Sequence, residues 1–189
     1  MRRLWLLRHG PTGAKGMCGW TDLPADLSDA AAINRLSLAL PWVPVVSSDL
    51  RRAATTADAV AEDRPRLPHD PALRELHFGA WEMRTHAEAE AEDPILARAL
   101  WEQPGEHAPP GGETWNALRA RVESALDRHL AQHPELIVVC HFGPILAALQ
   151  RARGIPALEA FAQRIEPLSL TVLSESDGAW RVEAVDHRP

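Results

Sequence analysis

The stretch Leu4-Trp5-Leu6-Leu7-Arg8-His9-Gly10 places an unbroken apolar run directly before a cation, an imidazole and a glycine. A short continuous apolar run, without polar alternation, is typical of a strand that is covered on both faces. Two further runs of this kind occur, at 43–46 and 136–140. Because helical patterns follow each run, the sequence predicts a largely parallel sheet between helices.

The remaining pattern completes an α/β architecture. Five helices are predicted, over 29–40 with Ser28 as the cap, 50–62, 94–103, 114–133 and 144–153. Apolar segments 168–173 and 180–185 flank Asp177-Gly178 and predict a hairpin. We therefore expect a single domain over 1–189. Its mostly parallel central sheet would have helices on both faces and one antiparallel edge strand.

The segment at about 83–112 does not follow the strand–helix alternation. It is acidic at first and then rich in proline and glycine, ending in Pro109-Pro110-Gly111-Gly112. Two interpretations stay open for this excursion from the sheet. It forms a lid, or it forms a surface helical hairpin with an irregular return.

Composition restricts the class of function. The chain has 189 residues, 46% of them hydrophobic and 24% charged, with a net charge of −6. An acidic chain is a poor nucleic-acid binder, so no nucleic-acid partner is expected. Two cysteines are too few for a disulfide framework, and no segment resembles a signal peptide or a membrane span. We expect a cytoplasmic protein without a membrane partner, as a monomer or a homodimer.

Polar residues collect at the ends of the three apolar runs. Arg8 and His9 follow the first run, Arg51 and Arg52 open the helix after the second, and His141 follows the third. Ligands of open α/β sheets bind beyond the carboxyl ends of the strands, where helix N-termini also attract anions. Two imidazoles and paired guanidiniums in one place would suit a phosphate dianion.

Six segments together resemble the histidine phosphatase superfamily, which has the phosphoglycerate-mutase-like fold. They occur in that family's order: Leu7-Arg8-His9-Gly10-Pro11-Thr12, Gly19-Trp20-Thr21-Asp22-Leu23-Pro24, Ser48-Asp49-Leu50-Arg51-Arg52-Ala53, Leu73-Arg74-Glu75-Leu76-His77-Phe78-Gly79-Ala80-Trp81-Glu82, Pro110-Gly111-Gly112-Glu113-Thr114 and Val138-Val139-Cys140-His141-Phe142-Gly143. The resemblance spans residues 4 to 143. It implies a phosphatase that hydrolyses a small phosphorylated metabolite.

The resemblance also implies a role for each matching residue. His9 would be the nucleophile that forms a phosphohistidine, and Glu75 would protonate the leaving oxygen. The phosphoryl oxygens would be held by Arg8, Arg52 and His141. Cationic donors can carry most of phosphoryl transfer, so no metal ion and no cofactor are expected.

Substrate contacts are implied for five residues: Thr12, Lys15, Cys18, Gly19 and Phe142. Three of these depart from the family pattern, since the family often has Asn at Lys15, Ser or Thr at Cys18, and Gly at Phe142. Met83 also replaces a common Gly. The sequence Trp81-Glu82-Met83-Arg84 resembles the α-ribazole phosphatase branch. The substrate could accordingly be α-ribazole 5'-phosphate.

Several alternatives remain open. The same residues would serve a cofactor-dependent phosphoglycerate mutase or a non-catalytic phospholigand-binding module. Glu82 is the rival of Glu75 as the acid, although we interpret it as a carboxylate that braces its loop. Trp20 and Trp81 either touch the substrate or support the loops. His129 and His133 have zinc-like spacing without a third ligand, which does not favour a metal site.

Overall fold

The computed structural model describes residues 1–189, and its five strands form one mixed sheet. The strands are β1 (Arg2–Arg8), β2 (Val45–Ser47), β3 (Glu135–Cys140), β4 (Leu170–Ser176) and β5 (Ala179–His187). Their order across the sheet is β2-β3-β1-β4-β5. The first three strands are mutually parallel, whereas β4 pairs antiparallel with β1 and β5 pairs antiparallel with β4. The predicted parallel centre and antiparallel edge are confirmed.

Seven helices accompany the sheet. They are α1 (Ala30–Ala39), α2 (Arg51–Ala61), α3 (His86–Glu92), α4 (Pro94–Glu102), α5 (Trp115–Gln132), α6 (Phe142–Arg153) and α7 (Ala157–Phe161). Two short 3-10 turns, Pro71–Leu73 and Gly79–Trp81, lie between α2 and α3. The helix α7 was not predicted, because it is short and has no long apolar period, and α3 was expected only as part of a helical hairpin.

The apolar run of β1 is continuous because each of its faces packs on a different set of helices. Leu4 and Leu6 belong to a core with α5 and α6, whereas Trp5 and Leu7 belong to a second core with α1 and α2. Successive side chains of a strand point to opposite faces, so both faces must be apolar. Two buried layers therefore fix β1 in the centre of the molecule.

Two predicted helix starts are corrected. The cap of α1 is Asp29 rather than Ser28, since the Asp29 carboxylate accepts a hydrogen bond from the Ala32 N–H at 2.9 Å. The helix α6 begins at Phe142, two residues before Pro144, and His141 is its N-cap. Proline is tolerated in a first turn, where its missing N–H has no intrahelical partner to lose. His141 is thereby placed at the junction of β3 and α6.

The segment at 83–112 contains a helical hairpin. The helices α3 and α4 pack on each other, and residues of both helices form a small third core with Met17 and Trp81. The following residues, 103–114, return to α5 without forming a helix. None of the helices in the molecule combines the length and the apolar character needed to cross a membrane.

Candidate active site

One cavity of about 700 Å³ lies beyond the ends of the parallel strands, and four of the five predicted catalytic residues line it whereas His141 does not. Arg8, His9, Arg52 and Glu75 all line it. The ring of His141 lies against that of His9, with 5.0 Å between the centroids. The backbone N–H of His9 also bonds to the Cys140 carbonyl at 3.0 Å. Pairing of β1 with β3 thus sets the two histidines side by side.

His9 is held as a neutral imidazole with a defined tautomer. Its Nδ1 lies 2.7 Å from the carbonyl of Gly10, which can only accept, so Nδ1 carries the proton. Its Nε2 accepts a hydrogen bond from Nε of Arg52 at 3.3 Å. Burial and the positive charge of Arg52 lower the pKa of His9 to about 3. Nε2 is therefore unprotonated at neutral pH, as a nitrogen nucleophile must be.

The guanidinium of Arg52 is buried without an ionic partner. Its side chain donates to the carbonyls of Thr21 at 2.9 Å, Gly19 at 2.6 Å and Cys18 at 3.5 Å. No carboxylate lies within 4.0 Å of it anywhere in the chain. Carbonyl groups orient the cation but leave its charge uncompensated. Such a group attracts an anion into the cavity.

Arg8 adds a second cation with free hydrogen-bonding capacity. Its Nη1 donates to the carbonyl of Ile165, and its guanidinium lies over the Phe142 ring at 5.4 Å. The Nε of Arg8 is buried and has no partner. Burial lowers the pKa of this guanidinium from its ordinary value. A phosphoryl oxygen would offset this desolvation.

His141 is fully buried, and neither of its ring nitrogens has a hydrogen-bond partner. Burial and the nearby His9 and Arg52 hold its pKa well below the usual range. Unpaired buried polar atoms cost about 1–3 kcal/mol each, so natural proteins rarely retain them. Their position beside His9 indicates a site that is completed by a hydrogen-bonding ligand.

Glu75 is a buried carboxyl with one oxygen occupied. Its Oε1 accepts from the backbone N–H groups of Leu76 and Gly143, both at 2.9 Å. Burial raises its pKa, although these bonds and the nearby arginines act in the opposite direction. The backbone carbonyl of Glu75 is fixed by the Trp20 indole and by Arg121, each at 2.8 Å. Because Oε1 already accepts two N–H bonds, a proton on this carboxyl is bound to Oε2.

Glu82 has the opposite environment. Its carboxylate accepts four backbone N–H bonds and one from the Thr21 hydroxyl. These donors lower its pKa despite its partial burial. A carboxylate with five donors is poorly suited to deliver a proton. The predicted bracing role agrees with this geometry.

The five predicted substrate contacts divide into two groups. Thr12, Cys18 and Phe142 line the cavity. Lys15 and Gly19 do not: Lys15 is exposed to solvent, and Gly19 is buried behind Arg52. Motif position alone could not separate these groups, because the direction of a loop side chain depends on local backbone angles.

Sequence reasoning missed the apolar end of the cavity. That end is formed by nine residues from two loops and five helices: Ala14, Met17, Leu76, Phe78, His86, Trp101, Trp115, Leu146 and Phe161. Trp101 packs edge-on against His86 at 4.7 Å, and Phe161 packs edge-on against Trp115 at 4.7 Å. Helical periodicity marks such residues as apolar but does not say which of them face a cavity.

The other aromatic and histidine candidates have structural contacts. Trp20 is braced between Arg74 and His77, and the fully buried Trp81 donates its indole N–H to Glu92 at 3.2 Å. His129 bonds to Asp70 at 2.9 Å. No group of three or more His, Cys, Asp or Glu side chains in the chain is arranged to hold a metal ion.

Comparison with known proteins identifies the family of this chain and agrees with its fold. The sequence model of the histidine phosphatase superfamily (branch 1) matches residues 4–187, so the chain belongs to that family. It is a phosphatase, and several similar proteins are named as phosphatases.

An adenosylcobalamin/alpha-ribazole phosphatase of Salmonella typhimurium is 31% identical over 98% of this chain and 96% of its own. A glucosyl-3-phosphoglycerate phosphatase of Mycobacterium tuberculosis is 35% identical over 80% of this chain and 74% of its own. The solved structure of a putative alpha-ribazole-5'-P phosphatase from Escherichia coli superposes with a TM-score of 0.85. That structure is 28% identical and covers 99% of this chain and 97% of its own.

Proposed function

We propose that this phosphatase hydrolyses a small phosphomonoester through a covalent phosphate on Nε2 of His9, without a metal ion. The observation that carries the proposal is the neutral His9, whose unprotonated Nε2 contacts Arg52 inside a buried cationic cavity. Phosphoryl transfer depends mainly on positioning and on charge stabilisation. Arg8, Arg52 and His141 supply both without a metal.

In the first step, Nε of Arg52 transfers its hydrogen bond from Nε2 of His9 to a phosphoryl oxygen. The freed Nε2 lone pair forms a bond to phosphorus while the bond from phosphorus to the ester oxygen breaks. The proton on Oε2 of Glu75 passes to that oxygen, so the alcohol leaves neutral. Arg8 and Arg52 stabilise the negative charge on the phosphoryl oxygens, and His141 donates a hydrogen bond to one of them. Glu75 is then an anion, ready for the second step.

In the second step, water attacks the phosphorus of phospho-His9 and Glu75 takes up the water proton. The bond between Nε2 and phosphorus breaks and returns its electron pair to the imidazole. Inorganic phosphate leaves, and both Glu75 and His9 regain their starting states. The raised pKa of Glu75 suits a group that must give and take a proton in one cycle.

The leaving alcohol should carry a flat aromatic group. Beyond the phosphate-binding residues, the cavity has a wall of Phe78, Trp101, Trp115 and Phe161. It has no lysine, and its only arginines are Arg8 and Arg52, which the phosphate engages. A glycerate carboxylate would therefore lack a cationic partner, whereas an aromatic ring could stack. This difference favours α-ribazole 5'-phosphate over glucosyl-3-phosphoglycerate.

We further propose that the α3–α4 hairpin is the lid over this cavity. It contributes only His86 and Trp101 to the lining, and these two side chains contact each other. The hairpin therefore covers the position expected for the leaving group. It contributes nothing to the phosphate-binding end.

Phosphate release from a panel of monoesters tests the proposal. The panel contains α-ribazole 5'-phosphate, glucosyl-3-phosphoglycerate, 3-phosphoglycerate and simple sugar phosphates. We expect the highest kcat/KM for α-ribazole 5'-phosphate and no conversion of 3-phosphoglycerate to its isomer. Isomerisation would indicate a mutase, and binding without phosphate release would indicate a non-catalytic module. Preference for the glycerate ester would contradict the argument from the aromatic wall.

A further inference from the structure

We propose that Glu82 is a positioning residue for Arg52, and that it acts across the two peptide groups between Cys18 and Trp20. The loop 18–21 separates the carboxylate from the guanidinium and connects them through its backbone. The inference rests on the proposed function, in which Arg52 binds the phosphoryl group.

Two consecutive peptide groups each touch both side chains. In the first, the Cys18 carbonyl accepts from Nη2 of Arg52 at 3.5 Å and the Gly19 N–H donates to Glu82 at 3.1 Å. In the second, the Gly19 carbonyl accepts from Arg52 at 2.6 Å and the Trp20 N–H donates to Glu82 at 2.8 Å. The carboxylate and the guanidinium thus lie at opposite ends of the same two peptide dipoles.

The polarity of this arrangement is favourable at every contact. The N–H end of a peptide group is its positive end, and it faces the anion of Glu82. The carbonyl end is negative, and it faces the cation of Arg52. Hydrogen bonds in such a chain polarise and strengthen one another. Glu82 therefore stabilises the Arg52 cation without touching it.

Close packing keeps the loop in this geometry. A side-chain carbon at Gly19 would lie 2.1 Å from the Leu76 carbonyl and 2.4 Å from the Glu82 carboxylate. Both distances are far below a normal contact, so only glycine fits. The Thr21 hydroxyl donates to the same carboxylate at 2.7 Å. Displacement of Glu82 would consequently move the carbonyls that aim Arg52.

An indirect counter-ion has a functional advantage over a direct one. Arg74 forms a two-point ion pair with Asp49 at 2.8 and 2.5 Å, so its charge is already matched. A carboxylate paired in this way with Arg52 would compete with the phosphate dianion for the same donors. Relay through peptide groups orients the guanidinium while its charge remains available.

The experiment measures binding of orthovanadate to the intact protein in a double-mutant cycle of Glu82→Gln and Arg52→Met. Glutamine keeps the shape but loses the charge and replaces one acceptor oxygen with a donor. Residues that interact directly or through a shared network show a measurable coupling in such cycles. We therefore expect Glu82→Gln to weaken vanadate binding about tenfold when Arg52 is present, and less than about twofold in the Arg52→Met background. Turnover should fall by the same factor for alkyl and aryl esters.

A matched control and a milder variant complete the design. Glu88 also accepts from a threonine N–H and hydroxyl, those of Thr85, but has no path to Arg52. Glu88→Gln should leave vanadate binding unchanged. Thr21→Val removes only the hydroxyl donor to Glu82. Like Glu82→Gln, it should weaken vanadate binding, by about two- to fivefold, which is the scale of one hydrogen bond. This variant keeps the test decisive if Glu82→Gln does not fold.

The outcomes separate the two proposals. If Glu82→Gln has the same effect with and without Arg52, or if neither Glu82→Gln nor Thr21→Val changes vanadate binding, the positioning role is wrong. If wild type does not bind vanadate, or if Arg52→Met binds it as wild type does, the proposed function itself fails. Circular dichroism of each variant identifies losses that come from unfolding alone.

Discussion

Replacement of Glu75 with glutamine removes a transferable proton while preserving the shape of the site. The amide oxygen can keep both backbone bonds of Oε1, to Leu76 and Gly143. The amide nitrogen then occupies the place of Oε2, where it can donate a hydrogen bond but cannot lose its proton. General acid catalysis contributes about 10²–10⁴ in rate. The first step should therefore lose about 2.7–5.4 kcal/mol for a leaving alkoxide.

The loss should depend on the leaving group. An alkoxide departs poorly without a proton, whereas a nitrophenoxide departs readily. For nitrophenyl phosphate, the rate of the initial burst in Glu75→Gln should stay within about tenfold of the wild-type rate. Its steady-state rate should still fall, because Glu75 also accepts the water proton in the second step. Rapid-quench single-turnover measurements with α-ribazole 5'-phosphate and nitrophenyl phosphate separate the two steps.

Glu82→Gln is the control for this prediction. It should slow both substrates equally, because Glu82 acts on the phosphate-binding end through Arg52. Equal losses for both substrates in Glu75→Gln would refute the assignment of the acid. So would a dependence on the leaving group that appeared in Glu82→Gln instead.

The stability of Glu75→Gln gives an independent check. Burial raises the pKa of Glu75, so the folded state binds its proton up to a higher pH than the unfolded state does. The stability of the wild type should therefore decrease as the pH rises above the ordinary carboxyl range. Glutamine carries no such charge. Urea titration should find Glu75→Gln at least as stable as wild type at neutral pH, and a large destabilisation would contradict this account.

Three further predictions follow from the same geometry. Exhaustive chelation should change phosphatase activity by less than about twofold, or about 0.5 kcal/mol of barrier; a loss of several decades that one metal restores would contradict it. Unfolded His9 takes up a proton below its ordinary pKa of 6.5, whereas folded His9 has a pKa of about 3, so the fold loses stability as the pH falls. Urea titrations should show that, between neutral pH and about pH 5, the free energy of unfolding of wild type falls by about 2 kcal/mol more than that of His9→Asn. An equal fall in both proteins would refute the neutral imidazole. Trp101→Ala should lower kcat/KM for α-ribazole 5'-phosphate about tenfold but leave that for small alkyl phosphates within about twofold of wild type. Ile95→Ala, at an exposed position of the same helix, is the control and should change neither. Equal losses on all esters would argue against a leaving-group contact.

The sheet and the cluster of histidines and arginines at its edge could be predicted from sequence because local pattern determines them. Both faces of β1 and β3 are buried, which yields unbroken apolar runs with recognisable ends. The rule that strand ends share one edge then brings His9, Arg52 and His141 together. Each of these three residues lies within a few positions of its strand, so little error accumulates.

The aromatic end of the cavity could not be predicted in this way. Trp101 lies on α4 and Phe161 on α7, 60 residues apart and outside the sheet. Their meeting depends on how short helices pack, and an apolar period does not determine that packing. The position of Lys15 in its motif predicts a substrate contact. The loop around it has a glycine with φ of +69° at position 13, and it leaves the lysine side chain in solvent.

The connection between Glu82 and Arg52 through the loop backbone could not be predicted from the sequence either. It involves backbone groups of 18–20, whose direction is independent of residue type except at Gly19. The sequence makes Glu82 a rival acid, because it lies seven residues after Glu75 in the same motif, although we interpret it as a carboxylate that braces its loop. The identity of what it braces required the positions of the peptide N–H and carbonyl groups.

Trapping the phosphorylated form of the protein is the direct test of a covalent phosphate on His9. Wild type is mixed with radiolabelled phosphomonoester, quenched within the first turnover, and divided between acid and base treatment. We predict a phosphoryl group on His9 that is stable in base and labile in acid. His9→Ala should show neither this phosphoryl group nor turnover. An acid-stable phosphoryl group, or substantial turnover by His9→Ala, would contradict it.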